Sequence, residues 1–578
     1  MCTMTHRLDS VGTPLQLFLA VAVLSGCPTG IVTEPDAGDD AGSTSGCSKD
    51  TDCKGSRICV SKECVDPPTG GGTATAGGGT ATTGGGSATT GGGTATTGGG
   101  TATTGGGTAT TGGGTATTGG GTATTGGGSA TTGGGSAVTG GGSAVTGGGS
   151  AVTGGGSAVT GGGTAATGGG SACQAESADF YVSPSGSDAN SGDLTHPFAT
   201  LDKLWTVLSP GKLAYLRGGT YQFAKQQFLV GVNGTSTSRI RVWAYPCETP
   251  VLTNAPGWTK PGNQWHRGGV YFSGNFFHFR GIEVKGFKMN DGMVDSALLA
   301  NDSNDCVFEQ LNVHDAESGL YVQGNSSNNL VLNSDFHHNY DAAAPGNADG
   351  LAIGYTTGTN NVIRGCRAWW NSDDGIDTFE NSGHVLLEGN WAFKNGFVPD
   401  TMTGAGDGMG FKLGSVYLQG STKRNVLLRT LKNNVSFQNY AYGIHINGGE
   451  FLTEVFNSTL FDNRIGGLNF HYMTLAHVFK NNVSFNNGVT DVEISSASVS
   501  SHNAAGNGPN DGNWAVLASA ADFRSIVPTG VDGPRSPDGA LPVLDFLKLA
   551  PGSDLINAGV NVGTPFNGAA PDIGAFEQ

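Results

Sequence analysis

Positive charge is scarce in this chain. Its 29 lysines and arginines are outnumbered by 46 aspartates and glutamates, which gives a formal charge of −17. An acidic balance of this size argues against nucleic-acid binding, and against attraction of any polyanion by the overall field of the protein. An acidic ligand would therefore have to be held by local cations or by a bound metal ion.

The chain also lacks an apolar run long enough to span a membrane. Its longest N-terminal apolar stretch, from Leu15 to Leu24, has the length of a signal-peptide core. The motif Leu-Ser-Gly-Cys follows and ends at Cys27, and it resembles a bacterial lipobox. We therefore expect a lipoprotein signal at 1–26, lipidation of Cys27 and a spacer at 27–46, with an ordinary secretory signal as the alternative. The expected protein is exported, tethered to the cell envelope, and in contact with the membrane through lipid only.

Cysteine is rare, with 10 residues in 578, but four of these lie in the segment 47–65, at Cys47, Cys53, Cys59 and Cys64. In an exported chain this spacing predicts two disulfides, with the pairing left open. Zinc is the alternative, but the four cysteines form no CxxC pair and have no histidine nearby. The segment shows no residues that carry chemistry.

Residues 66–172 consist almost entirely of glycine, threonine, serine and alanine. The repeats are Gly-Gly-Gly-Thr-Ala-Thr-Thr and later Gly-Gly-Gly-Ser-Ala-Val-Thr. Because glycine leaves the backbone free and these side chains offer little material for a core, the composition predicts a flexible linker.

The remaining residues, 173–578, are predicted to form one all-β domain, a right-handed parallel β-helix. A six-residue unit with alternating apolar positions ends on asparagine, and it recurs with a basic period of roughly 24 residues. Short alternating strands separated by turn residues at such a period are typical of this solenoid. The asparagines are expected to stack from coil to coil at a sharp corner; they are Asn339, Asn371, Asn395, Asn439, Asn463 and Asn487.

Both ends of such a solenoid need covering, because terminal coils expose strand edges. A helix near 199–208 is predicted to cap the N-terminal end, and the segment 546–577 is expected to cover the other end. Cys173 and Cys247 are candidates for a disulfide.

The candidate site consists of Asp349, Asp373, Asp374, Asp377 and Lys412. Since one coil spans about 24 residues, the spacing predicts Asp349 directly above Asp373 on a neighbouring rung, about 4.8 Å away. Clustered carboxylates suit Ca²⁺, which takes six to eight oxygen ligands. A lysine beside a divalent cation has its pKa lowered and can act as a general base. Calcium with a basic lysine is suited to removing a proton next to a carboxylate, as a polysaccharide lyase does.

The same five residues also fit roles outside this chemistry. The aspartates could shape a turn or hold a structural calcium that links coils, and the lysine could be an ordinary solvated side chain. In that case the chain could be a surface protein that binds acidic glycans through calcium without cleaving them. A β-helix hydrolase with paired aspartates is a further alternative, but its Gly-His-Gly and Arg-x-Lys elements are not found at suitable places.

Four segments carry a resemblance to a known family, the family 9 polysaccharide lyases, which are pectate lyases with a parallel β-helix. They are Asn347-Ala-Asp-Gly350, Arg367 through Phe379, Trp391-Ala-Phe-Lys-Asn-Gly396 and Gly408-Met-Gly-Phe-Lys-Leu-Gly414. The resemblance implies a catalytic Ca²⁺ on Asp349, Asp373, Asp374 and Asp377, and Lys412 as the Brønsted base. His445 departs from the acidic or amide residue expected at its position, so substrate preference is left open.

The predicted function is therefore calcium-dependent cleavage of de-esterified α-1,4-galacturonan by β-elimination. The alternative within the same chemistry is a lyase for another uronate polymer, such as rhamnogalacturonan or alginate. The expected partner is an acidic polysaccharide, the expected cofactor is Ca²⁺, and the expected state is a monomer.

Overall fold

The computed structural model describes residues 175–578, apart from 260–266, 289–294, 416–423, 449–450, 472–473, 507–513 and 515, together with the strands of 58–167. The lipoprotein signal, Cys27 and the spacer lie outside the described residues and stay predictions. No helix among the described residues is long and apolar enough to cross a membrane.

Over the described part of 175–578, the chain winds through three parallel sheets, as predicted for a parallel β-helix. Each full coil contributes one strand to sheet I, one to sheet II and one to sheet III in turn. Sheet I contains Phe180–Val182, Leu213–Leu216, Ile240–Ala244, Phe277–Arg280, Val307–Glu309, Leu330–Leu332, Asn361–Arg364, Val385–Glu388, Arg424–Lys432, Phe451–Phe456, Val478–Lys480 and Val499–Ser501.

Sheet II contains Gly219–Lys225, Pro250–Thr259, Glu283–Lys285, Asn312–His314, Asp335–His337, Arg367–Trp369, Trp391–Phe393, Val435–Phe437, Thr459–Phe461, Val483–Phe485, Ala504–Ala505 and Val516–Leu517. Sheet III contains Gln227–Val230, Arg267–Ser273, Asp295–Asn301, Ser318–Gly324, Leu351–Thr356, Ile376–Asp377, Phe411–Lys412, Tyr442–His445, Gly466–Phe470 and Thr490–Ile494. Because successive side chains of a strand point to opposite faces, every second residue enters the solenoid interior and the others face outward.

The asparagine ladder is confirmed at the corner between sheets II and III. Each Nδ2 donates to the Oδ1 of the next member at 2.8–3.0 Å, and all members are buried; they are Asn339, Asn371, Asn395, Asn439, Asn463 and Asn487. Further buried asparagine pairs stack at the other two corners, Asn329 with Asn361 and Asn390 with Asn434. These pairs recur with spacings of 32 and 44 residues that also occur in the first ladder, but the prediction used only the asparagine that ends each unit.

The predicted N-terminal cap is confirmed as an α-helix, Leu201–Trp205. Thr200 begins it by accepting a hydrogen bond from the Lys203 amide at its side-chain oxygen, a favourable N-cap. The buried Trp205 ring stacks on Phe277 of sheet I with the centroids 4.9 Å apart. The helix therefore closes the interior of the first coils.

The C-terminal segment is placed differently from the prediction. Instead of covering the far end, it packs along the outer side of sheet II, where Phe546 contacts the Phe437 and Phe461 rings at centroid distances of 4.8 and 6.3 Å. Outward aromatic residues recur in register on this sheet, so they form an apolar stripe that needs cover. The pattern that predicted strands did not show which face this segment would occupy.

Cys247 is disulfide-bonded, while the buried Cys306 and Cys366 are free thiols. Cys173, its predicted partner, lies outside the described residues. Within the cysteine-rich segment the described residues are two short antiparallel strands, Ile58–Val60 and Glu63–Val65.

The described residues of the predicted flexible linker form strands where the composition predicts a coil. One sheet contains Thr73–Ala76, Gly86–Thr90, Gly100–Thr104, Gly114–Thr118, Gly128–Thr132, Gly142–Thr146 and Gly156–Thr160. The other contains Gly79–Thr83, Gly93–Thr97, Gly107–Thr111, Gly121–Thr125, Gly135–Thr139, Gly149–Thr153 and Ala165–Thr167.

The physical reason lies in the repetition of the unit. Identical rungs pair in register, Gly93 with Gly107, and alanines such as Ala95 are buried between the two sheets. Gly93 has a φ of 108°, and a Cβ there would lie 2.2 Å from the carbonyl oxygen of Gly79. Glycine therefore permits the close approach of the backbones here, and its abundance is not a sign of flexibility as predicted from composition.

Candidate active site

The candidate site lies on the outer face of sheet III, at its shortest strands. Ile376 pairs with Phe411 and Asp377 with Lys412 in the parallel register. Ile376 and Phe411 are fully buried in the solenoid interior, so the alternation of the strand turns Asp377 and Lys412 outward. A carboxylate and an ammonium group thus occupy equivalent positions on neighbouring coils.

The structure brings Asp349, Asp373 and Asp374 together at the start of these strands. One carboxylate oxygen from each lies within 4.8 Å of the others, and all three side chains are buried. The predicted stacking of Asp349 on Asp373 is wrong by one residue. Leu351 pairs with Ile376, so the local offset is 25 residues and Asp374 is the counterpart of Asp349.

Backbone amides fix two of these carboxylates. Asp374 accepts a hydrogen bond from the Met409 amide at 2.7 Å, and Asp373 accepts one from the Asp407 amide, also at 2.7 Å. Both donors lie in the insertion between Asn395 and Lys412. The insertion therefore orients the acidic group and does not only lengthen the coil.

Asp377 lies beside this group and not within it. Its Oδ1 accepts a hydrogen bond from the Phe379 amide at 2.7 Å, and its Oδ2 lies 3.9 Å from the Lys412 Nζ. Of the four predicted ligands, three form a compact group, and the fourth lies farther from the Lys412 Nζ, at 3.9 Å, than Asp374 of that group does at 2.8 Å.

Lys412 makes its shortest contacts with two other carboxylates. Its Nζ lies 2.8 Å from Asp374 Oδ2 and donates a hydrogen bond to Asp407 Oδ2 at 3.1 Å. The lysine side chain is 9% exposed, while that of Asp407 is 58% exposed. The amine is thus held at the acidic group, and Asp407 marks the side on which solvent reaches it.

Burial and mutual repulsion raise the pKa of the aspartates. The pKa of Asp349 lies well above its ordinary value because the carboxyl is buried and faces Asp377, Asp373 and Asp374. The pKa of Asp377 is raised to about 7 by burial, although Lys412 opposes the shift. Burial lowers the pKa of Lys412, but the surrounding carboxylates outweigh it and hold that pKa well above its usual range.

The donor set fits a hard divalent cation. Buried carboxylate oxygens that repel one another are stabilised by a cation that takes oxygen ligands, and Ca²⁺ takes six to eight of them. The amine of Lys412 compensates only part of this negative charge. A cation on the aspartates would also remove the cause that raises the lysine pKa.

Two residues of the site were not predicted from the sequence. Asp407 has no repeat signal because it lies in the insertion. Arg429 is fully buried in the solenoid interior, where it donates to the carbonyls of Thr378 and Leu413 at 2.9 and 3.3 Å. Because these carbonyls follow Asp377 and Lys412 directly, one guanidinium group ties the backbone of both strands together. Burial lowers the pKa of Arg429 to about 9, with Asp377 opposing.

Comparison with known proteins identifies the family. The family model described as Pel9A-like, right handed beta helix region, matches residues 180–487. Pectate lyase L of Dickeya chrysanthemi is 32% identical over 415 residues, which cover 69% of this chain and 90% of that protein.

Two solved structures are similar as well. The crystal structure of pectate lyase Pel9A has a TM-score of 0.57 and 29% identity, and the match covers 69% of this chain and 96% of that one. A rhamnogalacturonan lyase has a TM-score of 0.56 and 26% identity, with 64% of this chain and 96% of that one covered. The family match spans the coils that carry the acidic group and Lys412, so the chain belongs to the Pel9A-like family of right-handed β-helix proteins and is a polysaccharide lyase.

Proposed function

We propose that this chain is a calcium-dependent pectate lyase that cleaves de-esterified α-1,4-galacturonan by β-elimination. The observation that carries the proposal is the contact of the Lys412 amine with a buried acidic group, 2.8 Å from Asp374, on the outer face of a β-helix of this family. The amine can act as a base only when it is uncharged, so another cation must compensate the negative charge of the aspartates.

Asp349, Asp373, Asp374 and Asp377 would hold the Ca²⁺. When bound, the ion supplies Lewis-acid stabilisation to a uronate carboxylate of the substrate and so acidifies the adjacent C5 proton.

Lys412 is the base of the reaction. Its neutral amine removes the C5 proton, the C5–H electron pair forms the C4–C5 double bond, and the C4–O glycosidic bond breaks as the departing oxygen takes up a proton from water. The amine is pre-positioned because its strand is in register with Asp377 and its Nζ is fixed by Asp374 and Asp407.

A lyase for another uronate polymer is the second candidate function. The similar rhamnogalacturonan lyase structure favours it, since its TM-score of 0.56 is close to the 0.57 of the pectate lyase. Both candidates use the same base and the same acidic group, and they differ only in the sugars that the face of sheet III accepts.

The proposed substrate is tested with a panel of uronate polymers: polygalacturonate, highly methyl-esterified pectin, rhamnogalacturonan and alginate. Formation of the unsaturated sugar end is followed by its ultraviolet absorbance, with added calcium or with a chelator. We expect polygalacturonate to give the fastest reaction and the chelator to abolish it. Faster cleavage of rhamnogalacturonan or alginate would replace the proposed substrate, and undiminished activity in chelator would remove calcium from the proposal.

A further inference from the structure

The acidic group and Lys412 are accessible from the side of Asp407. The Asp374 side chain is fully buried and that of Lys412 is 9% exposed, whereas that of Asp407 is 58% exposed. On the opposite side, toward the N-terminal coils, the outward residues of sheet III are buried, with Ala352 at 0% and Tyr321 at 3%. The exposed Asp407 and the half-buried His445 of the next coil mark an accessible path for a polymer over the coils that follow.

Arg464 lies on this path. The Ala441 amide donates to the Gly408 carbonyl at 2.8 Å, and the Ile465 amide donates to the Ala441 carbonyl at 2.9 Å. Gly408, Ala441 and Ile465 thus lie on successive coils. The residues directly before them therefore form one column, which consists of Asp407, Tyr440 and Arg464. Two strand spacings place Arg464 about 10 Å from Asp407 along the solenoid axis.

The Arg464 side chain is held in place without an ion pair to any carboxylate of the described residues. Its guanidinium lies 5.1 Å from the centroid of the Tyr440 ring, a cation–π contact. Tyr440 in turn packs edge-on against Phe397 of the insertion, with ring centroids 5.4 Å apart. Arg464 is exposed and forms no ion pair with any carboxylate of the described residues. In a chain with 29 cationic and 46 anionic side chains, an unpaired arginine beside the site is available for an anionic ligand.

His445 lies between the base and this arginine. It pairs in register with Lys412 on one side and with Asn469 on the other, so its imidazole faces outward on the next coil. The ring stacks on Tyr442 with the centroids 5.0 Å apart. Its Nδ1 is buried and has no hydrogen-bond partner among the described residues. Because Nδ1 has no access to solvent, the half-buried ring offers only its Nε2 to a ligand beside the base.

We propose that His445 and Arg464 form a second uronate-binding subsite, in which Arg464 binds the carboxylate of a sugar beyond the one that loses its proton and His445 hydrogen-bonds the sugar chain between them. This inference rests on the proposed function, since it takes the substrate to be a polymer of uronates. It assigns a binding role to the histidine that departs from the family pattern. It also accounts for how a chain of net charge −17 holds a polyanion through a local cation.

The subsite is tested by the steady-state kinetics of Arg464→Ala on polygalacturonate with saturating calcium. Because the contact is the same before and in the transition state, its loss raises KM and leaves kcat unchanged. A charge-assisted hydrogen bond at an exposed position predicts an increase in KM of about tenfold. Arg464→Lys keeps the charge and should recover most of the affinity. Partly methyl-esterified polygalacturonate, which lacks some of the carboxylates, should show a smaller difference between wild type and Arg464→Ala.

Lys203→Ala is the matched control. It also removes an ammonium that lies over an aromatic ring, 5.5 Å from the Phe198 centroid, but at the N-terminal cap. It should leave KM unchanged. An unchanged KM in Arg464→Ala, or a loss of kcat together with thermal stability, would overturn the subsite while leaving the proposed function intact. If wild type cleaves a different uronate polymer, the proposed function is wrong. The ratio of the Arg464→Ala KM to the wild-type KM on that polymer then tests the subsite.

Discussion

Lys412→Ala is expected to lower kcat on polygalacturonate by about 10²–10⁴-fold, the usual contribution of a general base. The Lys412 amine lies 2.8 Å from Asp374 and 3.1 Å from Asp407, and no other lysine of the described residues contacts the acidic group. Water would have to remove the proton instead. The rate is measured as formation of unsaturated product, at saturating calcium and substrate.

Two measurements separate this effect from damage to the site. Calcium binding by calorimetry should persist in Lys412→Ala, because the variant removes a positive charge and no carboxylate. Lys432→Ala, which changes a lysine on sheet I, should keep wild-type kcat and serves as the matched control. Wild-type kcat in Lys412→Ala would end the assignment of the base, and lost calcium binding would indicate a structural role for this lysine.

Calcium is expected to raise the unfolding temperature, and to raise it more as the pH increases. Without the ion, the raised pKa values of Asp349 and Asp377 mean that the folded protein binds extra protons. These protons stabilise the folded state relative to the unfolded chain. The stabilisation is fully present at pH values below about 3.9, the pKa of an aspartate in the unfolded chain, and it is lost as the pH rises through the pKa in the folded state, which is about 7 for Asp377. Calcium replaces these protons, so its effect grows toward neutral and alkaline pH.

The size of the effect follows from mass action. At a calcium concentration of 100 times Kd, the stabilisation is about 2.7 kcal/mol. Thermal unfolding at several pH values, with calcium or with chelator, measures it. Asp374→Asn should lose most of the calcium effect, while Asp538→Asn, a change of an exposed carboxylate in the C-terminal segment, should keep it. A calcium effect that is independent of pH, or that survives in Asp374→Asn, would place the ion elsewhere.

The fold was predictable because its signals are local and repeated. The asparagine that ends each coil unit must form a buried corner, and the ladder from Asn339 to Asn487 is formed as expected. The helix that covers the first coils was predicted near 199–208, and it spans Leu201–Trp205. The five residues predicted to form the site lie close together in the structure because they occupy neighbouring positions on adjacent coils.

The details that failed depend on long-range geometry. The mean coil length does not give the offset between two particular coils. Here the offset is 25 residues, and Asp349 therefore aligns with Asp374 and not with Asp373. Asp407 and Arg429 reach the site from an insertion and from the interior of sheet I, where no motif marks them. The C-terminal segment covers the outward aromatic residues of sheet II. The position of these residues could not be inferred before the strands were assembled into sheets.

The dependence of kcat on pH, measured with saturating calcium, tests most directly whether a lysine in an aspartate–calcium site performs the reaction. Only the neutral amine accepts a proton, so kcat should rise by about tenfold per pH unit on the acidic side and level off above the pKa of Lys412 in the loaded site. A kcat that falls as the pH rises from about 6 to about 9, as expected when a protonated carboxyl group is required, would contradict this account.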